Sequence, residues 1–336
     1  MPDRPLPSAT IVAEVAQGYR ASWAKELALV ELAAAAGADA IKFQLLHSGE
    51  LLTADHPLCG HVEELELPPA RWREVGKLAQ SRGIEVFADV FGRRGLEIAL
   101  DIGAAAVKVH ASDMLNERLL REIAESSVPR VLLSAGGARA GELEEVAGLL
   151  SGKRLTVILG FQAYPTAIGD NRLRRLPALA RLLPGVELGF ADHTAQEDPV
   201  GTWLPGLALA LGATYIEKHL TMAQVLRDPD YQSALDPDRF AGFVESIRAA
   251  EAALGEADCE PDEMSEPERA YRLGMKRHVV AVEDLASGVR LGPEHLVLMR
   301  VPEPPADALL RLEEALGAVL ASDVAKDTAL GRAQLR

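Results

Sequence analysis

Short apolar runs alternate along the chain with longer stretches of helical period. The short runs predict strands at 9–14, 40–44, 84–89, 106–110, 130–134, 155–161, 186–191 and 214–217. Between them, WAKELALVELAAAAG, PPARWREVGKLAQSRG, ERLLREIAESS and GELEEVAGLL space apolar residues as amphipathic helices do. Several stretches close on a glycine (Gly37, Gly83, Gly212), the usual helix terminator. A last helix is predicted over 237–255. Strands alternating with helices imply parallel βα units, and eight units over about 250 residues predict an α/β fold of the (β/α)8 TIM-barrel type. A doubly wound open sheet is the second choice; no GxGxxG follows the first strand, which weakens it.

Composition narrows the function classes. Hydrophobic residues make up 48% of the 336 positions and charged residues 25%, enough for a core and without a disorder signature. Aromatics at 4% offer no platform for stacking bases. With 35 Lys and Arg against 50 Asp and Glu, the formal charge is −15, which argues against nucleic acid or an anionic membrane as partner. Two cysteines, Cys59 and Cys259, cannot build a disulfide framework. Neither a signal-peptide pattern nor an apolar run of about 18 residues is present, so a soluble, reduced, cytoplasmic protein is expected.

The chemistry concentrates where barrel active sites form, at the C-terminal ends of the strands. Those ends read AEV (Glu14), IKFQ (Lys42, Gln44), FADVF (Asp89), VKVHASD (Lys108, His110, Ser112, Asp113), LLSAGG (Ser134), GFQAYPT (Gln162, Tyr164), GFADHT (Asp192, His193) and IEKHLT (Glu217, Lys218, His219). Strands often end in polar turns, but eight consecutive ends with titratable or hydrogen-bonding groups point to an enzyme. Lys42 and Lys108 stand where a strand interior favours Val or Ile, and a lysine there either snorkels or meets an anion in the barrel mouth. His193 and His219 follow adjacent strands, which lie less than about 5 Å apart, so both imidazoles can reach one metal ion. Two His with oxygen ligands suit Mn²⁺, Fe²⁺, Co²⁺ or Zn²⁺; the bland alternative is that each histidine simply hydrogen-bonds in the mouth.

These strings resemble a known family. GADAIKFQ, KVHASDM, LLSAGG, AYPT, GFADHT and IEKHLT, followed by RDPDYQSALDP, are similar to the N-acetylneuraminate (sialic acid) synthases and the related legionaminate and pseudaminate synthases. The tail MKRHVVAVEDLASGVRLGPEHLVLMR resembles the small antifreeze-like (SAF, β-clip) domain that ends these enzymes. The resemblance implies a barrel over 1–255, a linker over 256–275 and a SAF domain over 276–336, assembled as a domain-swapped homodimer. It implies a divalent metal, Mn²⁺ or Mg²⁺, and condensation of phosphoenolpyruvate with the open-chain aldehyde of an N-acyl amino sugar. The products are a nonulosonic 2-keto acid and phosphate.

Position by position, the resemblance makes His193 and His219 the metal ligands and Lys42 and Lys108 the holders of phosphoenolpyruvate, with Gln44 beside them. Ser134 matches a phosphate-contacting serine and Glu14 a carboxylate near the metal-bound water. Tyr164 matches a sugar-contacting tyrosine, Gln162 stands where the family usually has Asn, and Asp230 matches a sugar-binding Asp. Arg300 matches an arginine that reaches the partner subunit's site.

The chain departs from the family in several places. After Glu14 the usual Asn-His and Gly read Gly18, Tyr19 and Ala21. Ser-Thr-Pro-Phe reads Ala88-Asp89-Val90-Phe91, so a ligand-binding Thr has become a carboxylate that repels an anionic ligand unless paired or protonated. The usual phosphate-binding Ser is Ala111, with Ser112 next to it, and Arg-Pro-Gly reads Arg300-Val301-Pro302. Two other readings therefore stand beside the synthase. One is a barrel enzyme using another anion, such as pyruvate, with Asp89 and His110 as an acid–base pair; the other is a non-catalytic sugar-binding homologue.

Overall fold

The computed structural model describes residues 8–161, 163–255 and 260–336. These fall into two compact units, one ending at residue 255 and the other beginning at residue 260.

The first unit is a closed parallel barrel. Its strands are β1 (Thr10–Ala16), β2 (Ala40–Leu45), β3 (Glu85–Val90), β4 (Ala106–Val109), β5 (Arg130–Ser134), β6 (Arg154–Leu159), β7 (Glu187–Asp192) and β8 (Ala213–His219), each hydrogen-bonded to the next. Closure comes from β8 pairing β1, which sets Glu14 opposite His219. The predicted barrel is present, with strand ends shifted by one or two residues. The two-residue shifts are at β1, which runs on to Ala16, at β6, which stops at Leu159 and leaves Phe161 exposed, and at β8, which runs on to include His219.

Parallel strands are covered on both faces, so their sequences read as near-continuous apolar runs. One face of each strand packs under the helices in the main core. The opposite face fills the barrel with an apolar layer of Val12, Ala40, Phe87, Ala106, Leu132, Ile158, Ala191 and Tyr215. Stepping two residues onward from that layer reaches Glu14, Lys42, Asp89, Lys108, Ser134, His193 and Glu217. The period of two therefore sends these side chains to the barrel mouth, above an apolar floor. Stepping two residues back from Leu132 and Ile158 reaches Arg130 and Thr156, which hydrogen-bond each other and Glu187 beneath the floor. Arg130 lies over the Phe87 and Tyr215 rings at 5.8 and 5.6 Å.

Local signals account for the helices. Gly83 ends the helix Pro69–Arg82 in the left-handed region (φ 71°). Asp236 caps Pro237–Leu254 by accepting from Arg239 N at 3.1 Å, with Pro237 at the first helical position. One helical residue breaks the usual pattern. Glu26, on Trp23–Ala35, is fully buried, and neither of its carboxylate oxygens has a hydrogen-bond partner among the described residues. Burial pushes its pKa up to about 8, with Arg71 only partly opposing. A carboxyl raised from its ordinary value binds its proton more tightly in the native state, so stability falls as pH rises from about 4.5 to about 8. Glu26→Gln is therefore expected to melt progressively higher than the wild type between pH 5 and 9, by up to a few kcal/mol at the alkaline end. A pH-independent difference in melting temperature would sink this account.

The second unit pairs β9 (His278–Ala281) with β10 (Leu296–Met299) in antiparallel fashion, extended by bridges such as Leu285–Val324 and Leu320–Leu335. It has its own core, including Val279, Leu291, Leu309, Leu320 and Leu330. Residues Glu266–Met275, which the sequence assigns to the linker, form a helix capped by Ser265. Its acidic, proline-containing start continues the acidic run before it and so reads as linker, and none of its residues is buried. Among the described residues no helix is long and apolar enough to cross a membrane.

Candidate active site

At the C-terminal end of the barrel lies a small cavity walled mostly by polar and ionisable side chains. Its walls include Glu14, Gln44, Asp89, Lys108, His110, Ser134, Tyr164, His193, Glu217 and His219, so ten of the residues singled out in the sequence converge on one space. Gly160 and Phe161 line it as well. Gly136 closes the turn after Ser134 against the β6 end. A Cβ there would lie 2.5 Å from the Gly160 carbonyl, so only glycine allows this approach.

The floor of the mouth is a buried network of charge. Lys42 Nζ lies 2.7 Å from Glu14 Oε2, 2.6 Å from Glu217 Oε2 and 3.2 Å from Asp89 Oδ1. Lys108 Nζ lies 3.2 Å from Glu217 Oε1 and 3.4 Å from Asp89 Oδ2. The pairing follows from register, since β1 sets Glu14 opposite Lys42 and β3 sets Asp89 opposite Lys108. The lysines thus meet the protein's own carboxylates. Lys42, fully buried, does not line the cavity, so Lys108 is the cation that a ligand reaches. Asp89 is not bare: it stands within ion-pair distance of both lysines.

Two lysines and three carboxylates carry a net −1 when all are ionised, and protonation of one carboxylate brings the set to zero. The proton goes to Glu14. Burial, ahead of the opposing pull of Lys42 and aided by Asp89 and Glu217, raises its pKa to about 7. Burial also works against ionisation of Glu217. There, however, Lys108 and Lys42, with hydrogen bonds from Lys42 and from Tyr215 at 2.5 Å, hold it well below the ordinary range. Burial likewise opposes the charge on Lys42, and Asp89, Glu14 and Glu217 outweigh it, keeping that lysine protonated.

Above this floor the two histidines face each other with ring centroids 5.3 Å apart. Tyr164 packs edge-on against both, at 4.9 Å from His193 and 5.2 Å from His219. Burial lowers the His193 pKa to about 4, and burial together with His193 takes His219 well below its usual value. Both imidazoles are therefore neutral at pH 7, the form that binds metals. His193 Nδ1 lies 2.9 Å from the Phe161 carbonyl. A carbonyl only accepts, so Nδ1 carries the proton and Nε2 keeps its lone pair. Among the described residues no three His, Cys, Asp or Glu side chains form a ready-made metal cluster. The donor set suits an ion held by two imidazoles, with its other positions open to water and substrate.

The remaining candidates fall outside the cavity wall. Asp230 sits half-buried with Oδ2 3.8 Å from His219 Nδ1, and burial raises its pKa to about 6. Its backbone takes a left-handed conformation (φ 63°). Ser112 and Asp113 tie the turn after β4: Ser112 Oγ lies 2.8 Å from His110 Nδ1 and 2.9 Å from Asp113 Oδ2, and Asp113 accepts from Asn116. His110 lines the cavity, and burial lowers its pKa. Tyr19, at a departure from the family pattern, serves the core instead. It is fully buried against Phe43 and Trp72 and donates to the Leu65 carbonyl at 3.1 Å. Arg300 is exposed just after β10 in the second unit, and Gln162 lies outside the described residues.

Glu217, the centre of the charge network, is named in the sequence only as one polar group at the end of its strand, and the resemblance assigns it no role. It stands in IEKHLT, and its signal was the period of two that groups it with Tyr215 and His219 on the inward face of β8.

A closed (β/α)8 barrel with ionisable groups gathered at its C-terminal mouth defines an enzyme of the TIM-barrel class. A model of the NeuB family matches residues 29–259, and a SAF domain model matches 276–336. The chain belongs to the NeuB family. It is 26% identical to an N,N'-diacetyllegionaminic acid synthase of Legionella pneumophila, over 86% of this chain and 85% of that protein. It is 28% identical to a pseudaminic acid synthase of Campylobacter jejuni, over 86% of each chain. Among solved structures, an N-acetylneuraminic acid synthetase from Leptospira borgpetersenii, in complex with citrate, superposes with a TM-score of 0.72. It shows 27% identity over 80% of this chain and 92% of that one.

Proposed function

We propose that this enzyme condenses phosphoenolpyruvate with the open-chain aldehyde of an N-acyl amino sugar, giving a nonulosonic 2-keto acid and phosphate. The observation that carries the reading is one cavity bringing together Lys108, Glu14 and two neutral histidines, in a chain whose relatives are named as sialic, legionaminic and pseudaminic acid synthases. In this reaction C3 of phosphoenolpyruvate bonds to the aldehyde carbon, whose oxygen takes a proton to become a hydroxyl. Water adds at C2, and phosphate leaves with cleavage of its C–O bond.

The residues divide the work by charge. Lys108, backed by Lys42, holds the anionic end of the donor, and Ser134 adds a hydroxyl from the neighbouring strand β5. Glu14, with a pKa about 7, is matched to take a proton from the adding water near neutral pH. Tyr164 keeps its phenol proton, because burial and the nearby Asp230 raise its pKa, so it remains a hydrogen-bond donor to the sugar. His193 and His219 are the residues that would hold a divalent ion, Mn²⁺ or Mg²⁺. Such an ion supplies Lewis-acid polarisation of the aldehyde oxygen.

The test is phosphate release by the full chain with phosphoenolpyruvate, Mn²⁺ or Mg²⁺, and a panel of N-acyl amino sugars including N-acetylmannosamine. Release with at least one sugar is expected. Chelation should lower it by about a hundredfold or more, with recovery on adding the ion back. Silence across the panel with folded, metal-supplied protein overturns the reading.

A further inference from the structure

The three carboxylates around the lysines are not equally held. Glu217 is fixed by Lys42 at 2.6 Å, Tyr215 at 2.5 Å and Lys108 at 3.2 Å. Glu14 is tied by Lys42 at 2.7 Å and by Ala16 N at 2.5 Å. Asp89 has the loosest hold. Its Oδ1 lies 3.2 Å from Lys42 Nζ but outside hydrogen-bond geometry, and it has no hydrogen-bond partner among the described residues. Its Oδ2 stands 3.4 Å from Lys108 Nζ. Yet Asp89 is only 1% exposed and forms part of the cavity wall. A buried carboxylate oxygen without a donor is unfavourable by itself. It is tolerated here because the lysines need a counterion.

We infer that Asp89 is an internal anion standing where a ligand's anionic group would meet Lys108, and that it thereby sets how much negative charge the cavity accepts. A carboxylate or phosphate that reaches Lys108 must compete with Asp89 and is repelled by it at short range. The penalty grows with the ligand's charge, so a phosphorylated donor is disfavoured more than a simple carboxylate. Asp89 is thus a specificity-determining residue that acts by repulsion. For the identity of the donor this rests on the phosphoenolpyruvate reading above; for the competition at Lys108 it does not.

Calorimetric titration of the chelator-treated full chain with phosphoenolpyruvate, inorganic phosphate and pyruvate separates the two. Asp89→Asn keeps the side-chain shape and removes the charge, and Asp89→Thr guards against a new pairing by the amide. Both should bind phosphoenolpyruvate and phosphate about tenfold more tightly or better, and pyruvate with a smaller gain. Adding Lys108→Met to Asp89→Asn should abolish the gain, which ties it to that lysine. If both variants melt normally and neither tightens any anion, including the case of no measurable binding, the inference is overturned. Tightened phosphate binding without phosphate release from any aldehyde upholds the role of Asp89 and removes the synthase reading. Normal turnover without tightening does the reverse.

Discussion

Glu217→Ala is expected to lower barrel stability by about 3–5 kcal/mol, the scale on which removing one partner from a buried ion pair is felt. For a unit of this size that means a melting transition roughly 10 °C lower. Among the described residues Glu217 is the only carboxylate in hydrogen-bond contact with both lysines, and it also accepts from Tyr215. Without it Glu14 and Asp89 still balance two positive charges. But Lys108 then keeps only Asp89 at 3.4 Å, and the Tyr215 hydroxyl loses its acceptor beneath the floor. Because Glu217 helps raise Glu14, its removal should also bring the Glu14 pKa down from about 7. Thermal melts and a pH titration of the variant check both effects. A Glu217→Gln/Lys108→Met double variant should recover part of the stability, since it removes opposite charges together, while phosphate release stays lost. A Glu217→Ala protein that melts with the wild type would show that the network is not what holds the mouth together.

How far the sequence reveals this site depends on the range of each interaction. The barrel is legible because its cause is local: apolar runs, helical spacing and terminating glycines repeat unit by unit. Individual mouth residues are legible for the same reason, since a lysine or histidine inside a β-rich run is conspicuous. What local pattern does not carry is which inward residues meet. Glu217 and Lys42 are 175 positions apart and meet only because β8 closes onto β1. Lys42 therefore reads as a ligand contact, whereas closure buries it under three carboxylates. Asp89 likewise reads as an intruder in an anion site until strand register sets it opposite Lys108. Tyr19 stands where a family pattern offers polar groups, yet its aromatic neighbours come from a distant strand and helix that only the fold brings to it. The helix Glu266–Met275 is hard to read for another reason: its Ser265 cap and short length are local signals, but its start continues an acidic, proline-bearing stretch that also suits a linker.

His193→Ala and His219→Ala should each lower phosphate release by on the order of a thousandfold, about 4 kcal/mol of barrier, with melting shifted by only a few degrees. The contrast with Glu217 comes from charge. Burial keeps both histidines neutral, so deleting either one strands no buried ion, and the vacated space opens into the cavity. What is lost is one of two facing nitrogen donors. The loss should also appear without turnover, as weaker binding of Mn²⁺ by calorimetry in each variant. Tyr164→Phe is the informative control. It keeps the ring that packs against both imidazoles and removes only the hydroxyl, so Mn²⁺ affinity should hold while the KM for the sugar rises. A His219→Ala enzyme that retains a tenth of the wild-type rate would separate the histidine pair from the chemistry. The work would then fall to Glu14 and the lysine network below it.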